Sequence, residues 1–453
     1  MIKSIFAVFM LLLPISAYGT DDILNKFIDE AIENNLALKQ QDFSLQKSLA
    51  ALHEARGLFL PSIDVIARYS KAGGGRSIDF PIGDIINPIH QSLNQILQEA
   101  RFPGDLENIN SPFMLEKEHD TKIQITQPVF QPLIYYNYKI KSNLCDIEKL
   151  SKKAFTRQLA ADVKTAYFNY LKTVQVVQLY EKTEALLNEN LRVCEKLFEN
   201  QKVTKEAVFR AKAELSELEQ GKSEAIKNRD MAAAYFNFLL NRPLNNAIEI
   251  ISSDQLSADN KPEFTKAESL AVANRDEIKQ MQTAIKAANN GAKLSKTKFL
   301  PGVSFIFDYG FQGEEYSFTS DDDFWMASMV LQWNLFNGLQ DKSKVNQCQA
   351  EKRKLQAQLK ELEIQVMLEV RNAYLNMDAA NKSIIAANDR QNSARKSFEI
   401  VNKKFQQGMS PQIEFLDARS AMTRAEISYI IVQYDYHIRY AELEKALALY
   451  PVD

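Results

Sequence analysis

The sequence predicts a mainly helical protein with a small β part. One order of elements, namely a helix, two strands and a long antiparallel helical hairpin, occurs twice. Three observations predict this fold class. The 110 residues between Pro132 and Pro243 contain no proline and a single glycine, and proline is disfavoured inside helices because it lacks an amide hydrogen. Two short segments of alternating apolar and polar residues precede that stretch, and the whole pattern recurs in the second part of the chain.

The first 19 residues look like a secretory signal peptide. Lys3 precedes an apolar run from Ile5 to Leu13, and Ala17-Tyr18-Gly19 fits a cleavage site with small residues. No cysteine follows the apolar run, so a lipid anchor at the mature N-terminus is not expected. No later segment reaches the roughly 18 to 20 apolar residues of a membrane-spanning helix. The mature chain is therefore expected to be exported and to enter a membrane, if it does so, as β-strands.

The first structural repeat is expected over residues 20–250. In chain order the patterns predict a helix over 22–57, a strand over 63–70, a long loop over 73–118 with a short helix at 89–97, and a second strand over 121–130. The first strand alternates apolar with mostly polar residues, which predicts one apolar and one polar face. The loop contains three consecutive glycines and four prolines, which favour turns.

The long hairpin of this repeat follows the second strand. A continuous helix over 133–200 would be roughly 100 Å long, a length for which a globular enzyme has little use. The apolar pattern lapses at 200–204, where Thr204 can cap a second helix that runs to about Leu240. The apolar residues recur at the steps of three and four that are typical of a coiled-coil seam. They are Leu159, Val163, Ala166, Tyr170, Val174, Val177, Tyr180, Leu187, Leu191, Cys194 and Phe198.

The second structural repeat is expected over residues 251–453. The patterns predict a polar connector, a helix over 263–298, strands over 303–311 and 325–336, and a hairpin over 339–450 that is broken only at Gly408 and Pro411. Pro61 corresponds to Pro301 at a shift of 240 residues, and Ala166-Tyr167-Phe168-Asn169 corresponds to Ala373-Tyr374-Leu375-Asn376 at a shift of 207. The second shift holds as far as Lys212, so we interpret the chain as a tandem duplication.

Composition and charge argue against several functions. The formal net charge is −3 and basic residues are interleaved with acidic ones, so no face for nucleic acid is expected. The four histidines show no metal-ligand spacing, and the three cysteines are interpreted as packing residues. The sequence contains no phosphate-binding glycine loop. We therefore expect neither a metal site nor a cofactor, and we do not expect an enzyme.

The element order resembles that of the TolC family of outer-membrane exit ducts. Further signs are Phe59-Leu60-Pro61 and Phe299-Leu300-Pro301 before the first strand of each repeat, and Leu335-Phe336-Asn337-Gly338 after the last strand. In that family three protomers contribute four strands each to one twelve-stranded transmembrane β-barrel, and their helical hairpins form a tunnel across the periplasm. The resemblance covers nearly all of the mature chain. It implies a homotrimer in the bacterial outer membrane whose helical part lies in the periplasm.

The resemblance also implies a function and partners. Members of the family export drugs, toxic compounds or proteins together with a periplasmic adaptor (membrane fusion) protein and an inner-membrane pump of the RND or ABC type. This chain is accordingly expected to be the exit duct of a tripartite efflux or type I secretion system. It would conduct substrates passively, and the pump would select them.

The strands support a sheet that several chains share. Four strands are too few to close a barrel with a lumen, and strand edges cannot stay unpaired in lipid. Lipid would meet Phe305, Phe307, Tyr309, Phe311, Leu331 and Trp333, and water would meet Asp64, Arg68, Lys122, Gln124, Ser304 and Asp308. The alternative is a soluble periplasmic coiled-coil scaffold or adaptor with a small non-membrane sheet, whose strands would lack an aromatic face for lipid.

The candidate site residues lie at and beyond the hairpin turns. By the resemblance, the adaptor would contact Gln201, Lys202, Val203 and Thr204 at the first turn and Gly408, Met409, Ser410 and Pro411 at the second. Glu414 and Asp417 are three residues apart and hence on one helix face. They match two aspartates that line the tunnel mouth in the best-known member. A trimer would place six carboxylates around a narrow opening and attract cations, whereas the alternative is that both are ordinary solvated acids.

Two positions depart from the family pattern. Phe405 and Ser410 stand where the best-known member carries the tyrosine and the arginine of a latch, so that latch is not expected here. Gln201 stands where a glycine is usual at the first turn, although Gly408 is kept at the second.

Overall fold

A computed structural model describes residues 20–251 and 264–452 of the chain. The predicted signal peptide and most of the predicted connector after residue 250 lie outside the described residues. The described part forms two compact units, one consisting of helices and the other built around a β-sheet. Within these residues, no helix is both long and apolar enough to cross a membrane.

Apart from β2, α3 and β3 in the first half, the observed elements follow the same order in the two halves of the chain. The first half contains α1 (Thr20–Asn34), α2 (Leu36–Gly57), β1 (Ser62–Lys71), β2 (Ser77–Phe80), α3 (Ile82–Leu97), β3 (Ile109–Pro112), β4 (Lys117–Phe130), α4 (Pro132–Glu199) and α5 (Lys205–Leu239). The second half contains α6 (Phe264–Asn274), α7 (Asp276–Lys296), a 3₁₀ turn (Thr297–Phe299), β5 (Gly302–Gly313), β6 (Asp323–Gln332), α8 (Gln340–Gln406) and α9 (Gln412–Ala446). The two predicted hairpins are confirmed as α4–α5 and α8–α9.

Several predicted boundaries need correction. The long loop over 73–118 is partly ordered, because β2 pairs with β3 and the predicted short helix is the longer α3. The last strand ends at Gln332 instead of residue 336, because its partner begins at Gly302, after Pro301, which has no amide to donate to the ladder. Thr204 occupies the position before α5, but its hydroxyl makes no capping bond. The amide of Ala207, which the hydroxyl could have capped, bonds to the Thr204 carbonyl instead.

The first helix of each repeat is divided in two, at Asn35 and at Arg275, a feature that the sequence patterns did not predict. Asn35 accepts bonds from the amides of Ala37 and Leu38 and donates one to the Leu239 carbonyl (2.8 Å) at the end of α5. Arg275 donates to the Ala446 carbonyl (3.2 Å) at the end of α9. Asn35 and Arg275 differ by 240 positions and the two carbonyls by 207, the two shifts of the duplicated sequence. One kind of tie thus recurs with two different side chains.

Two large clusters of apolar side chains form most of the core of the helical unit, and two smaller ones lie nearer the hairpin turns. In the first, Tyr167 of α4 is fully buried between Phe27 and Phe236, at ring-centroid distances of 5.3 and 5.5 Å. Its hydroxyl donates to the carbonyl of Glu249 at 2.8 Å. The second cluster lies between α6, α7, α8 and α9, and Tyr374, the counterpart of Tyr167, is only half-buried against it.

The main sheet has the strand order β1-β4-β5-β6, and all its pairs are antiparallel. Residues that pair across the ladders share a face. One face carries Ile63, Val65, Tyr69, Ile123, Ile125, Phe305, Phe307, Tyr309, Phe311, Trp325, Met329 and Leu331. The opposite face carries Asp64, Arg68, Lys122, Gln124, Ser304 and Asp308. The predicted division into an apolar and a largely polar face is therefore confirmed, although Trp333 lies just beyond the last strand.

Candidate functional site

The two hairpin turns share one backbone geometry. In the first, the amide of Gln201 donates to Phe198 O and that of Lys202 to Leu197 O. In the second, the corresponding bonds run from Gly408 to Phe405 O and from Met409 to Lys404 O. Gln201 and Gly408 both have a left-handed backbone, with φ of 58° and 74°. Glycine adopts this conformation without strain, whereas a residue with a Cβ loses roughly 1–2 kcal/mol, so the first turn keeps the geometry without the residue that favours it.

Stacked rings join the two helices of the second hairpin near its turn, and one amide ties this hairpin to the first. Phe405 stacks on Phe415 at a centroid distance of 4.9 Å, and Phe415 contacts Phe398 at 5.6 Å. Gln412, at the start of α9, donates to Ala207 O of the first hairpin (2.9 Å). Phe405, expected at a latch position, is therefore a packing residue in this structure. These contacts fix α9 against α8 and against the first hairpin.

Five of the eight predicted turn residues line a cleft between the hairpins. Lys202, Val203, Gly408, Ser410 and Pro411 help to line this cleft, which has a volume of about 590 Å³. Most of the turn residues are exposed, but Ser410 is buried. The Ser410 hydroxyl donates to the carboxylate of Glu414, so its side chain serves the start of α9 and is not offered to a partner.

Glu414 and Asp417 are both exposed and lie on the side of α9 opposite its buried residues Phe415, Leu416 and Arg419. A third acid, Glu214 of α5, accepts a hydrogen bond from Ser420. Burial raises the pKa of Glu214, and the nearby charges of Glu217 and Asp417 raise it further.

The structure thus places Asp417, one member of the predicted acidic pair, near an acid of α5. The sequence did not point to Glu214 because spacing along one helix carries no information about which acid of another helix faces it. Across residues 20–251 and 264–452, no group of three or more histidine, cysteine, aspartate or glutamate side chains is arranged to hold a metal ion.

Arg419, two residues beyond Asp417, is a buried cation in α9. One guanidinium nitrogen donates to Thr183 Oγ1 of α4 at 2.6 Å, and the group lies 5.3 Å from the centre of the Phe398 ring. Its Nε has no hydrogen-bond partner among the described residues. Burial lowers the pKa of Arg419, and the charge of Glu426 only partly opposes this. Arg419 therefore ties α9 to α4 without a carboxylate in contact.

His437, farther along α9, is expected to make the stability of the folded chain decrease at acidic pH. Its ring stacks on Phe168 at 5.2 Å, and burial lowers its pKa from 6.5 to about 4. Because the unfolded chain binds this proton below about pH 6.5 and the folded chain only below about pH 4, stability is lost between these values. We expect His437→Phe to abolish a loss of roughly 2 to 3 kcal/mol over that range.

The measurement is the thermal unfolding temperature by circular dichroism between pH 4 and 7.5. His53→Phe, a change at an exposed histidine of α2, is the control for removing a histidine. An equal acid dependence in the wild-type protein and in His437→Phe would contradict the assignment.

The sheet forms a second candidate site. On its polar face the buried carboxylate of Asp308 accepts bonds from Lys122 (3.0 Å) and Gln124 (2.9 Å) on the neighbouring strand. On its apolar face the large side chains of the outer strands are exposed, for example Val65, Trp325 and Leu331. Strands β1 and β6 form the two edges. A sheet with two open edges and an exposed apolar face has the features of one part of a larger assembly.

These features define a class of protein: a chain of duplicated long helical hairpins joined to a small sheet, which is the fold of the TolC-type outer-membrane channels. The outer-membrane channel CmeC of Campylobacter jejuni superposes with a TM-score of 0.77 at 16% identity, over 94% of this chain and 85% of that one. The outer membrane protein VceC of Vibrio cholerae gives 0.76 at 14% identity, over 94% and 95%. The open state of the MtrE outer-membrane channel of Neisseria gonorrhoeae gives 0.74 at 16% identity, over 94% and 88%.

The sequence itself supports the family. Residues 268–449 match the family described as outer membrane efflux protein. No curated protein gives a significant match to the chain. The resemblance inferred from the sequence is confirmed.

Proposed function

We propose that this protein is the trimeric outer-membrane exit duct of a tripartite efflux or type I secretion system. It passively conducts substrates that an inner-membrane pump and a periplasmic adaptor deliver. The observation that carries the proposal is the four-stranded sheet with open edges at β1 and β6 and one exposed apolar face. In lipid every strand edge must be paired. Pairing β6 of one copy with β1 of the next satisfies both edges, and three copies give a closed twelve-stranded barrel.

The faces of the sheet support the same arrangement. Aromatic residues such as Tyr309 and Trp325 lie on the apolar face, which in this proposal meets lipid and its interface. Lys122, Gln124 and Asp308 lie on the opposite face, toward the lumen. The soluble scaffold is disfavoured because its sheet would have no use for an exposed aromatic face.

The hairpin ends are the proposed gate and docking site. The exposed residues of the two turns are offered to the adaptor, and the Glu414 and Asp417 carboxylates of three copies line the periplasmic opening. The raised pKa of Glu214 beside Asp417 supports a crowded acidic surface at this level. Such a surface attracts cations and favours their passage.

The proposal is tested by conductance across a planar lipid bilayer, with purified protein whose mass in detergent has been measured. We expect a trimer and small cation-selective steps, which decrease when divalent cations are added on the side of the hairpin ends. Absence of current from folded, largely helical protein would contradict the channel and favour the scaffold.

The acidic pair gives a separate prediction. The double substitution Glu414→Gln and Asp417→Asn removes two charges per chain with little change of shape. We expect lower cation selectivity and weaker block by divalent cations, measured on single channels. The matched control is Glu351→Gln with Glu361→Gln, which removes two exposed acids of α8 that lie far from the turn in sequence. Equal currents in the wild-type protein, the variant and the control would show that the pair does not line the constriction.

A further inference from the structure

The α3 helix within the 73–118 segment has its apolar side exposed and its polar side packed. Exposed apolar residues along one side of it are Ile82, Ile85, Ile89, Leu93 and Ile96. At Ile96 the exposed fraction is 78%. A surface helix of a folded domain normally shows the opposite arrangement, with its apolar stripe toward the core.

The polar side of α3 is held by the chain that follows it. Asn87 exchanges hydrogen bonds with the backbone of Leu106 at 2.8 and 2.9 Å. Asn94 binds the backbone of Phe102 in the same way, at 2.8 and 3.0 Å. A Cβ on Gly83 would lie 2.1 Å from Leu106 O, so the glycine permits this close approach. The orientation of α3 is therefore fixed by contacts within its own segment, and most of its apolar side chains are exposed.

The apolar side of α3 carries a regular heptad pattern, in which Ile86 is half-buried and the other four residues are exposed. Ile82, Ile86, Ile89, Leu93 and Ile96 follow one another at steps of four, three, four and three residues. With Ile86 and Leu93 at the a positions, isoleucine occupies every d position. Isoleucine at d with isoleucine or leucine at a favours three- or four-stranded over two-stranded coiled coils. The pattern thus indicates that α3 packs against other helices and that the bundle contains more than two of them.

The charge of α3 distinguishes between two possible partners of its apolar side, a lipid surface and another copy of the chain. Helices that lie on anionic membranes carry lysine and arginine on their polar face. Asp84 is the only fully charged residue of α3, which has no lysine or arginine. The polar residues Asn87 and Asn94, moreover, are already bonded to their own segment. An uncharged apolar seam fits an identical seam without charge repulsion.

The sheet places this segment where copies would meet. It joins the end of β1 to the start of β4 and therefore lies at that end of the sheet. In the trimer proposed above, on which this inference rests, the three copies of α3 emerge at the same end of one barrel.

We propose that the heptad side of α3 is an interface with the same side of α3 in the other two copies of this chain. The three helices form a short parallel bundle at the outer end of the sheet.

Site-directed disulfide formation tests the interface. Ile89→Cys places a thiol on the seam, and the matched control Gln95→Cys places one on the same helix, exposed but about 120° around the axis at 100° per residue. Both changes are at exposed positions, and folding is checked by circular dichroism. The intact protein in lipid vesicles is oxidised with copper phenanthroline, and dimers are measured on non-reducing gels. The chain without a new cysteine gives the background from the three native thiols.

We expect Ile89→Cys to form dimers several-fold faster than Gln95→Cys. Equal rates at the two positions, or no dimers above background, in a protein shown to be trimeric would overturn this inference alone. A monomeric mass and no conductance would overturn the proposed function and the inference with it. Faster reaction at Gln95→Cys would show that another side of α3 meets the other copies.

Discussion

Tyr167→Ala is expected to lower the free energy of unfolding of the helical unit by about 3 to 5 kcal/mol, the range for truncating a large buried aromatic residue. Tyr167 is fully buried, contacts the Phe27 and Phe236 rings and donates to Glu249 O. The substitution leaves a cavity among side chains that α1, α5 and the segment after α5 hold in place. Thermal and denaturant unfolding in detergent, followed by circular dichroism, measures the loss.

Two controls separate the parts of this effect. Tyr374→Ala, at the corresponding position of the second repeat, should cost clearly less because Tyr374 is only half-buried. Tyr167→Phe should cost about 1 kcal/mol for the lost hydrogen bond. Tyr434→Phe should be neutral or stabilising, because the buried Tyr434 hydroxyl has no hydrogen-bond partner within the described residues. Equal losses for Tyr167→Ala and Tyr374→Ala would contradict the burial difference.

Arg275→Met is expected to destabilise the fold by about 3 kcal/mol, as for a buried ion pair that loses one partner. Arg275 is 8% exposed and contacts Glu277 and Glu369, each at 3.0 Å, besides the Ala446 carbonyl. Burial alone would lower the pKa of Arg275, but the two glutamates outweigh it and raise the pKa. The charge is therefore well compensated in the folded state. Its removal leaves two carboxylates and a carbonyl without their donor.

Arg419→Met is the matched comparison, since the same substitution is made at another buried arginine. Arg419 makes one short bond to Thr183 and has an unpartnered Nε, and burial lowers its pKa. A buried cation without a carboxylate in contact can be replaced by an apolar side chain of similar size at little cost or with a gain. We expect a change within about 1 kcal/mol, measured by denaturant unfolding at pH 7. A loss as large as that of Arg275→Met would show that the bond to Thr183 outweighs the burial of the charge.

The sequence was sufficient to predict the long hairpins and the strands, because both depend on local patterns. The absence of proline between residues 132 and 243, together with apolar steps of three and four, leaves few alternatives to α4 and α5. Alternation of period two placed the correct side chains on each face of the sheet. The strand ends were less certain, because a strand ends where its partner ends, as Gln332 does opposite Gly302.

Features that depend on contacts between distant segments were missed. The ties from Asn35 to Leu239 and from Arg275 to Ala446 join positions about 170 to 200 residues apart. Glu214 lies near Asp417 only because α5 lies beside α9. The 73–118 segment was interpreted as a loop because of its three consecutive glycines, its four prolines and its mixed polarity, although side-chain bonds from Asn87 and Asn94 order it locally.

The two ties at the divided helices differ in how they respond to ionic strength. Asn35 is a neutral amide, so the bond to Leu239 at the end of α5 is insensitive to added salt. Arg275 works through Glu277 and Glu369, whose side chains are 41% and 43% exposed, and charges at such positions are screened by mobile ions. High ionic strength should therefore weaken the tie at Arg275 and leave the tie at Asn35 unchanged.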